Sequence, residues 1–386
     1  MKRLLLGLLI ATLVSLLSLV LLAPMQAERL VNGVEQKAPY PASSSARQLH
    51  QRLIVADLHA DTLLWSRDLL ERARYGHVDV PRLIQGNVAL QVFAVATKAP
   101  WGLNYDRNPS DSDMFTLLAA LQRWPRATWT SLTQRALYQA QKLRDAAVRS
   151  QGTLVLIESA SDLDTFLARR RRESQIVGGL LAIEGLHALE GELSRLDSLY
   201  EAGFRIMAPT HFFDNALGGS AHGMKKQGLT EFGRRVIRRM QELRITVDLA
   251  HAAPALIDDV LDMATRPVLV SHTGVKGTCE GSRNISDEHV RRIAATGGVI
   301  GIGFWDGAVC EIEPDSIVRA IRHVVKLAGV DHVGLGSDFD GGTHTPFDTT
   351  GLVQLTEALL ADGFSQDEIR KIMGANVIRV LSKGLP

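Results

Sequence analysis

"RLIVADLHADT" occupies residues 52–62. An apolar run of this kind reads as a buried strand, and this one ends in His59, a small residue and Asp61. Side chains two apart on a strand point to the same side, so His59 and Asp61 project together where the strand runs out. A neutral imidazole beside a carboxylate suits a divalent metal ion. The same pair could also be a solvated strand end bonded to a loop, so the reading depends on whether other strands end in the same way.

Seven further runs do recur along the chain: "VALQVFAVAT" (88–97), "GLLAIEG" (179–185), "FRIMAPTH" (204–211), "RITVDLAH" (244–251), "RPVLVSH" (266–272), "GGVIGIGFW" (297–305) and "DHVGLGSDFD" (331–340). A ninth run, "GTLVLIES" at 152–159, is left over as an extra strand or part of a crossover. Helical patterns lie between the runs. "LTEFGRRVIRRMQEL" (229–243) is amphipathic, Ser286 stands at an N-cap before "DEHVRRIAATGG", and Ser365 with Glu368 three residues on forms a capping box. Continuous apolar strands alternating with helices argue for a parallel sheet. Eight such units predict an α/β fold, a (β/α)8 TIM barrel, over residues 51–386. The long helical stretch 98–150, broken at "RWPRATW", reads as an insertion in the second unit.

In a barrel of this kind the active site lies at the C-terminal ends of the strands. Glu184 ends the third run, His211 the fourth, His251 the fifth, His272 the sixth and Asp338 the eighth. With the first, six of eight strands therefore end in a metal-competent or acid–base residue. A single strand-end histidine is usually a hydrogen-bonded core residue, but a whole ring of them points to a metal site. His59, Asp61, His251 and His272 supply four ligands, and Glu184 can bridge. Two ions that share a carboxylate keep open positions for water and can hold a hydroxide between them. This donor set favours two Zn2+ per chain, with Mn2+ or Co2+ as substitutes. The remaining eight histidines, His77 and His222 among them, fall in predicted helices and loops and are not expected to be ligands.

The chain resembles the membrane (renal-type) dipeptidases of the amidohydrolase superfamily from about residue 50 onward. The resemblance rests on "HAD" at 59–61, "AIEG" at 182–185, "THFFDN" at 210–215, "DLAH" at 248–251, "SH" at 271–272, "SRN" at 282–284 and "GSDFDG" at 336–341. It implies a binuclear zinc barrel that hydrolyses dipeptides, some of them with a C-terminal D-residue. It also implies metal ligands His59, Asp61, Glu184, His251 and His272, a substrate-binding His211, a carboxylate-binding Arg283 and an acid–base Asp338. Asn215 is expected to line the pocket, and Trp65, Trp101 and Trp305 are candidates for its walls. Asp57, Asp248 and Asp340 are candidates for orienting the ligands from behind. One departure is Leu186, where many members have glycine, and it is expected to bear on the pocket wall. The chemistry agrees with these roles. An arginine fork holds a carboxylate, a hydroxide between the metals attacks the carbonyl, and an aspartate carries the proton to the leaving amine. Two other readings remain: an amidohydrolase acting on N-acyl-amino acids, lactones or phosphoesters, and a non-catalytic exported binding protein.

Bulk properties narrow the partners. Forty-three basic and 42 acidic residues give a formal charge of +1, without the basic field that nucleic-acid binding needs. Lys2 and Arg3 precede an apolar run from Leu4 to Leu22, read as an export signal ending at Ala27 or as a retained membrane anchor. Either places the domain in the periplasm or on the outer face of the inner membrane. Residues 28–50 are polar, with two prolines and a serine cluster, and read as a linker. The spacing of the two cysteines, Cys279 and Cys310, leaves open whether they pair. The family resemblance, rather than any residue, suggests a homodimer.

Overall fold

The computed structural model describes residues 23–386. Eight parallel strands make up the central sheet: β1 (Val55–Ala60), β2 (Val88–Ala96), β3 (Val177–Glu184), β4 (Phe204–Ala208), β5 (Thr246–Val247), β6 (Leu269–Thr273), β7 (Val299–Ile302) and β8 (Val333–Leu335). Their spatial order is β5-β4-β3-β2-β1-β8-β7-β6, so each strand lies beside its neighbours in sequence and β8 returns to β1. The two ends of this path meet. Asp248, just after β5, bridges Leu269 of β6, and Leu249 N–H donates to the Leu269 carbonyl at 2.8 Å. The sheet is therefore curled in the manner of a TIM-like barrel, and every residue of β1, β2 and β3 is buried. Burial on both faces explains why these strands read as unbroken apolar runs.

The ninth run is a short strand, Leu154–Leu156, which pairs with β3 outside the eight-strand path. The insertion after β2 folds as helices Met114–Leu121, Ala127–Thr130 and Leu132–Arg149. Its Leu143, Ala140 and Ala136 face the core. Ser286 and Ser365 cap their helices as expected, and the Ser365–Glu368 capping box is closed.

The reading of 28–50 as a linker needs correction. Ser44–His50 is a helix, Glu28 and Asn32 are buried, and Gly33–Val34 pair in parallel with His344–Thr345 beyond β8. Glu28, Asn32 and His50 are buried against the barrel, while the serine cluster and most other polar side chains of the stretch stay exposed. Of the expected leader, residues 1–22 lie outside the described part, and residues 23–31 are helical. Among the described residues, no helix is long and apolar enough to cross a membrane.

Candidate metal centre

The strand ends bring the predicted residues to one point, and Glu184 lies at its middle. Its Oε2 is 3.4 Å from His251 Nε2, 3.6 Å from His59 Nε2 and 3.8 Å from His272 Nε2, while Oε1 is 3.2 Å from His211 Nε2. Asp61 Oδ2 lies 3.2 Å from His59 Nε2, as the two-residue spacing requires, and Asp338 Oδ1 lies 3.9 Å from the same nitrogen. His251 and His272 point their Nε2 atoms at each other, 2.9 Å apart. All seven side chains are buried. Three triads have donor atoms close enough to hold an ion: His59–Glu184–His272, Glu184–His211–His251 and His59–Asp61–Asp338.

Local backbone geometry fits this convergence. His251 and Asp338 both adopt left-handed conformations, at φ 61° and 60°. Such conformations cost free energy and persist where surrounding structure enforces them, often at functional sites. Gly185, at φ 92°, turns the chain immediately after Glu184, and a Cβ there would lie 2.2 Å from His187 Cε1. At Gly341 a Cβ would lie 2.2 Å from Asp338 Oδ1 and 2.8 Å from Asp61 Oδ2, so the two carboxylates leave room only for hydrogen.

The electrostatics call for cations. Burial, reinforced by the Asp61 carboxylate, pushes Glu184 well above the usual carboxylate range. Burial and Asp61 likewise push Asp338 up to about 7, against the pull of His59 and Arg283. Burial alone would lower His59, but Asp61 and Glu184 overcome it and raise the ring to about 10. His251 and His272 are held well below their ordinary value, chiefly by burial and by neighbouring cationic groups. Asp61 Oδ1, Glu184 Oε2 and His251 Nδ1 are buried without a hydrogen-bond partner. Orphaned acceptors, crowded carboxylates and neutral imidazoles form the donor set that divalent ions satisfy.

These groups floor a cavity of about 420 Å3. Trp65, Trp305, His211, Arg283 and Asp338 line it. Arg283 donates from Nη2 to the His272 carbonyl at 2.8 Å, and its guanidinium stacks 5.1 Å from the Trp305 ring centroid. A disulfide between Cys279 and Cys310 ties the Arg283 loop to the chain beyond β7, closing the question that spacing left open.

Three expectations need correction. Asn215 does not line the cavity: its Nδ2 donates to the Pro209 carbonyl at 2.8 Å and its Oδ1 accepts from Leu217 N–H at 2.8 Å, so both polar ends hold a turn. Leu186 is buried in the core and not at the cavity wall, and Trp101 is 55% exposed outside the lining. The aspartates thought to orient ligands act instead on backbone and loops. Asp57 accepts from Ser337 N–H, Ser337 Oγ and Gln91, and Asp248 accepts from the Ala250 and Ser271 N–H groups.

The group that orients the imidazoles was not foreseen. Ser271 Oγ lies 2.8 Å from His272 Nδ1 and 3.3 Å from His59 Nδ1, which leaves both Nε2 atoms facing Glu184. The dipeptide "SH" at 271–272 carried that signal. His222, outside the expected ligand set, is buried. It packs 5.2 Å from the His251 ring and 4.8 Å from Phe212, and its Nδ1 meets the Tyr105 carbonyl at 2.7 Å. Tyr105 comes from the insertion, lines the cavity, and accepts from Trp305 Nε1 through its hydroxyl at 2.9 Å. No local pattern marks it.

A parallel α/β barrel with carboxylates and imidazoles gathered at its strand ends defines a metal-dependent hydrolase class. The particular family follows from comparison. A profile of the membrane dipeptidase family, peptidase family M19, matches residues 43–384, and the chain belongs to that family of metallodipeptidases. An uncharacterised dipeptidase of Schizosaccharomyces pombe is 29% identical over 315 residues, covering 79% of this chain and 72% of that one. The solved structure of a Rhodobacter sphaeroides metallopeptidase, liganded with a phosphinate mimic of the dipeptide L-Ala-D-Ala, is 26% identical. It matches with a TM-score of 0.72 over 86% of this chain and 99% of that one. A second metallopeptidase structure, dipeptidase AC, is also 26% identical, with a TM-score of 0.73 over the same shares.

Proposed function

We propose that the protein is a dinuclear zinc dipeptidase, exported by its N-terminal apolar segment, that hydrolyses small dipeptides including those with a C-terminal D-residue. The observation that carries this reading is the central Glu184, with one carboxylate oxygen facing His59, His251 and His272 and the other facing His211. His59, Asp61, Glu184, His251 and His272 would hold the ions, with Glu184 shared between them. Two zinc ions there would supply Lewis acidity and an activated water at neutral pH.

The chain's own residues bind and orient the substrate and move its protons. Arg283 keeps donors beyond the one spent on the His272 carbonyl, and its fork suits the C-terminal carboxylate of a dipeptide. The Trp305 face beneath the guanidinium holds the fork in plane. Asp338 overhangs His59 and Asp61 within the same cavity, where a carboxylate can take a proton from water and return it to the leaving amine. His211 faces the Lys98 carbonyl with Nδ1 at 3.4 Å and Glu184 Oε1 with Nε2 at 3.2 Å. Burial holds this ring down to about 4. The ring would lie beside the carbonyl oxygen of a bound dipeptide, where negative charge develops. The acceptance of a D-residue rests on the phosphinate of L-Ala-D-Ala bound by the Rhodobacter sphaeroides relative.

The test is hydrolysis of L-Ala-L-Ala and L-Ala-D-Ala by the full chain in detergent, before and after chelation and zinc repletion. Zinc-restored cleavage is expected. No cleavage of either dipeptide by zinc-loaded protein overturns the substrate assignment and redirects the search to N-acyl-amino acids and lactones.

A further inference from the structure

The stretch after the apolar leader is built into the rim of the cavity. Glu28 is 1% exposed, although Ala27, Arg29 and Leu30 beside it are exposed. Its carboxylate contacts Arg67 Nε, and Arg67 donates in turn to Asp340 Oδ2 at 2.7 Å and to the Val78 carbonyl at 2.7 Å. Four residues on, Asn32 Oδ1 accepts from Gly342 N–H at 2.8 Å. The Gly33 carbonyl meets His77 Nε2 at 2.9 Å, and Glu35 N–H donates to the Thr345 carbonyl at 3.0 Å. Every one of these partners lies on the loop that leaves Asp338 or on the loop of Arg67 and His77 that holds Asp340. A passive tether has no reason to bury a carboxylate and pair its backbone against these two loops.

This anchoring has a consequence for the cavity. Ala27 and Val31 join its lining beside Gly341, Gly342 and Thr343. Leu64, Leu103, Phe115 and Leu118 also line it. Zinc-binding and carboxylate-binding groups occupy the floor, so an apolar upper wall is left for a substrate side chain. A side chain's methylene groups in such a wall discriminate between substrates, whereas the peptide bond and termini are common to all dipeptides.

We propose that Val31, seated on the barrel by residues 28–36, forms a specificity-determining wall of the substrate site. Val31 would contact the side chain of dipeptides that carry an apolar residue larger than alanine, and Glu28 would be the positioning residue that seats the wall. The proposal rests on the dipeptidase reading and names its preferred substrates.

The experiment compares kcat and KM of the full chain with those of Val31→Asp and Glu28→Gln on three dipeptides: Ala-Ala, Leu-Ala and Ala-Leu. Val31→Asp is expected to lower kcat/KM for one leucine dipeptide, through KM, about tenfold or more beyond whatever change it makes for Ala-Ala. The leucine position affected identifies the end of the substrate that faces the wall. Glu28→Gln is expected to shift the same dipeptide in the same direction by a smaller factor. Val31 is 38% exposed, so its variant tests the wall even where Glu28→Gln does not fold. Equal shifts on all three dipeptides, or none, with the wild type active, overturn the wall alone. A wild type that cleaves none of the three overturns the dipeptidase reading and the wall with it.

Discussion

Asp338 and Asp340 stand two residues apart on one loop, both buried and both left-handed, at φ 60° and 62°. Their surroundings are opposite. Asp340 accepts from Arg67 at 2.7 Å, Thr62 Oγ1 at 2.8 Å, His77 N–H at 2.6 Å and Val78 N–H at 3.2 Å. Burial would raise it, but Arg67 and His77 hold it well below the usual carboxylate range. Asp338 is pushed up to about 7 by burial and by Asp61, against the weaker pull of His59 and Arg283. One region of the loop is saturated and structural, while the other is left short of positive charge beside the candidate metal ligands. The local backbone does not separate these roles; what the rest of the fold aims at each carboxylate does.

The comparison can be broken most forcefully at Asp338. Asp338→Asn is expected to lower kcat about 10²- to 10⁴-fold, the range of a lost acid–base group, while the melting temperature stays or rises because a crowded charge is removed. A melting temperature that falls sharply would erase the contrast with Asp340. Asp340→Ala is expected to destabilise the protein by about 3–5 kcal/mol in urea unfolding, because it leaves buried Arg67 with Glu28 as its one carboxylate and strips the His77 and Val78 N–H groups of their acceptor. Unfolding midpoints equal to wild type would show that the anchor is idle.

Smaller effects sharpen the picture. Ser271→Ala frees the Nδ1 atoms of His272 and His59 and should weaken zinc binding about 10- to 100-fold by competition with a chelator. Unchanged affinity would mean that the strands alone orient the rings. The pH dependence of the metal-free protein should show two opposite slopes. Asp340 is depressed on folding, so its stabilisation is present above the ordinary aspartate value and is lost as pH falls below it. Asp338 is raised, so its contribution is present at low pH and is lost as pH rises through about 7. Unfolding of Asp338→Asn across pH 4–8 should show a smaller second loss, the remainder belonging to the raised Glu184 carboxyl. A profile identical to wild type would place the titration elsewhere.

Much of this was legible in the sequence because strand-end residues obey a period of two and a fixed face. Glu184, His211, His251 and His272 needed only the apolar run before each of them, and the order of the runs gave the order of the strands. What escaped depended on distant parts of the chain meeting. Glu28 and Arg67 are 39 residues apart, and Arg67 and Asp340 are 273 apart, so no local pattern announces their network. Tyr105 sits in an insertion whose path over the site is set by His222 and Ser282. Asn215 misled because an amide near a strand end can serve its own turn as readily as a ligand.

The proposed site, with Glu184 shared by two ions, stands or falls on its metal stoichiometry. Zinc titration of the metal-free full chain, with L-Ala-L-Ala or L-Ala-D-Ala hydrolysis read at each addition, tests it most directly. Activity is expected to rise to a break at two zinc ions per chain and not to recover in Glu184→Gln. A break at one ion with full activity, or activity in Glu184→Gln at wild-type zinc levels, would contradict it.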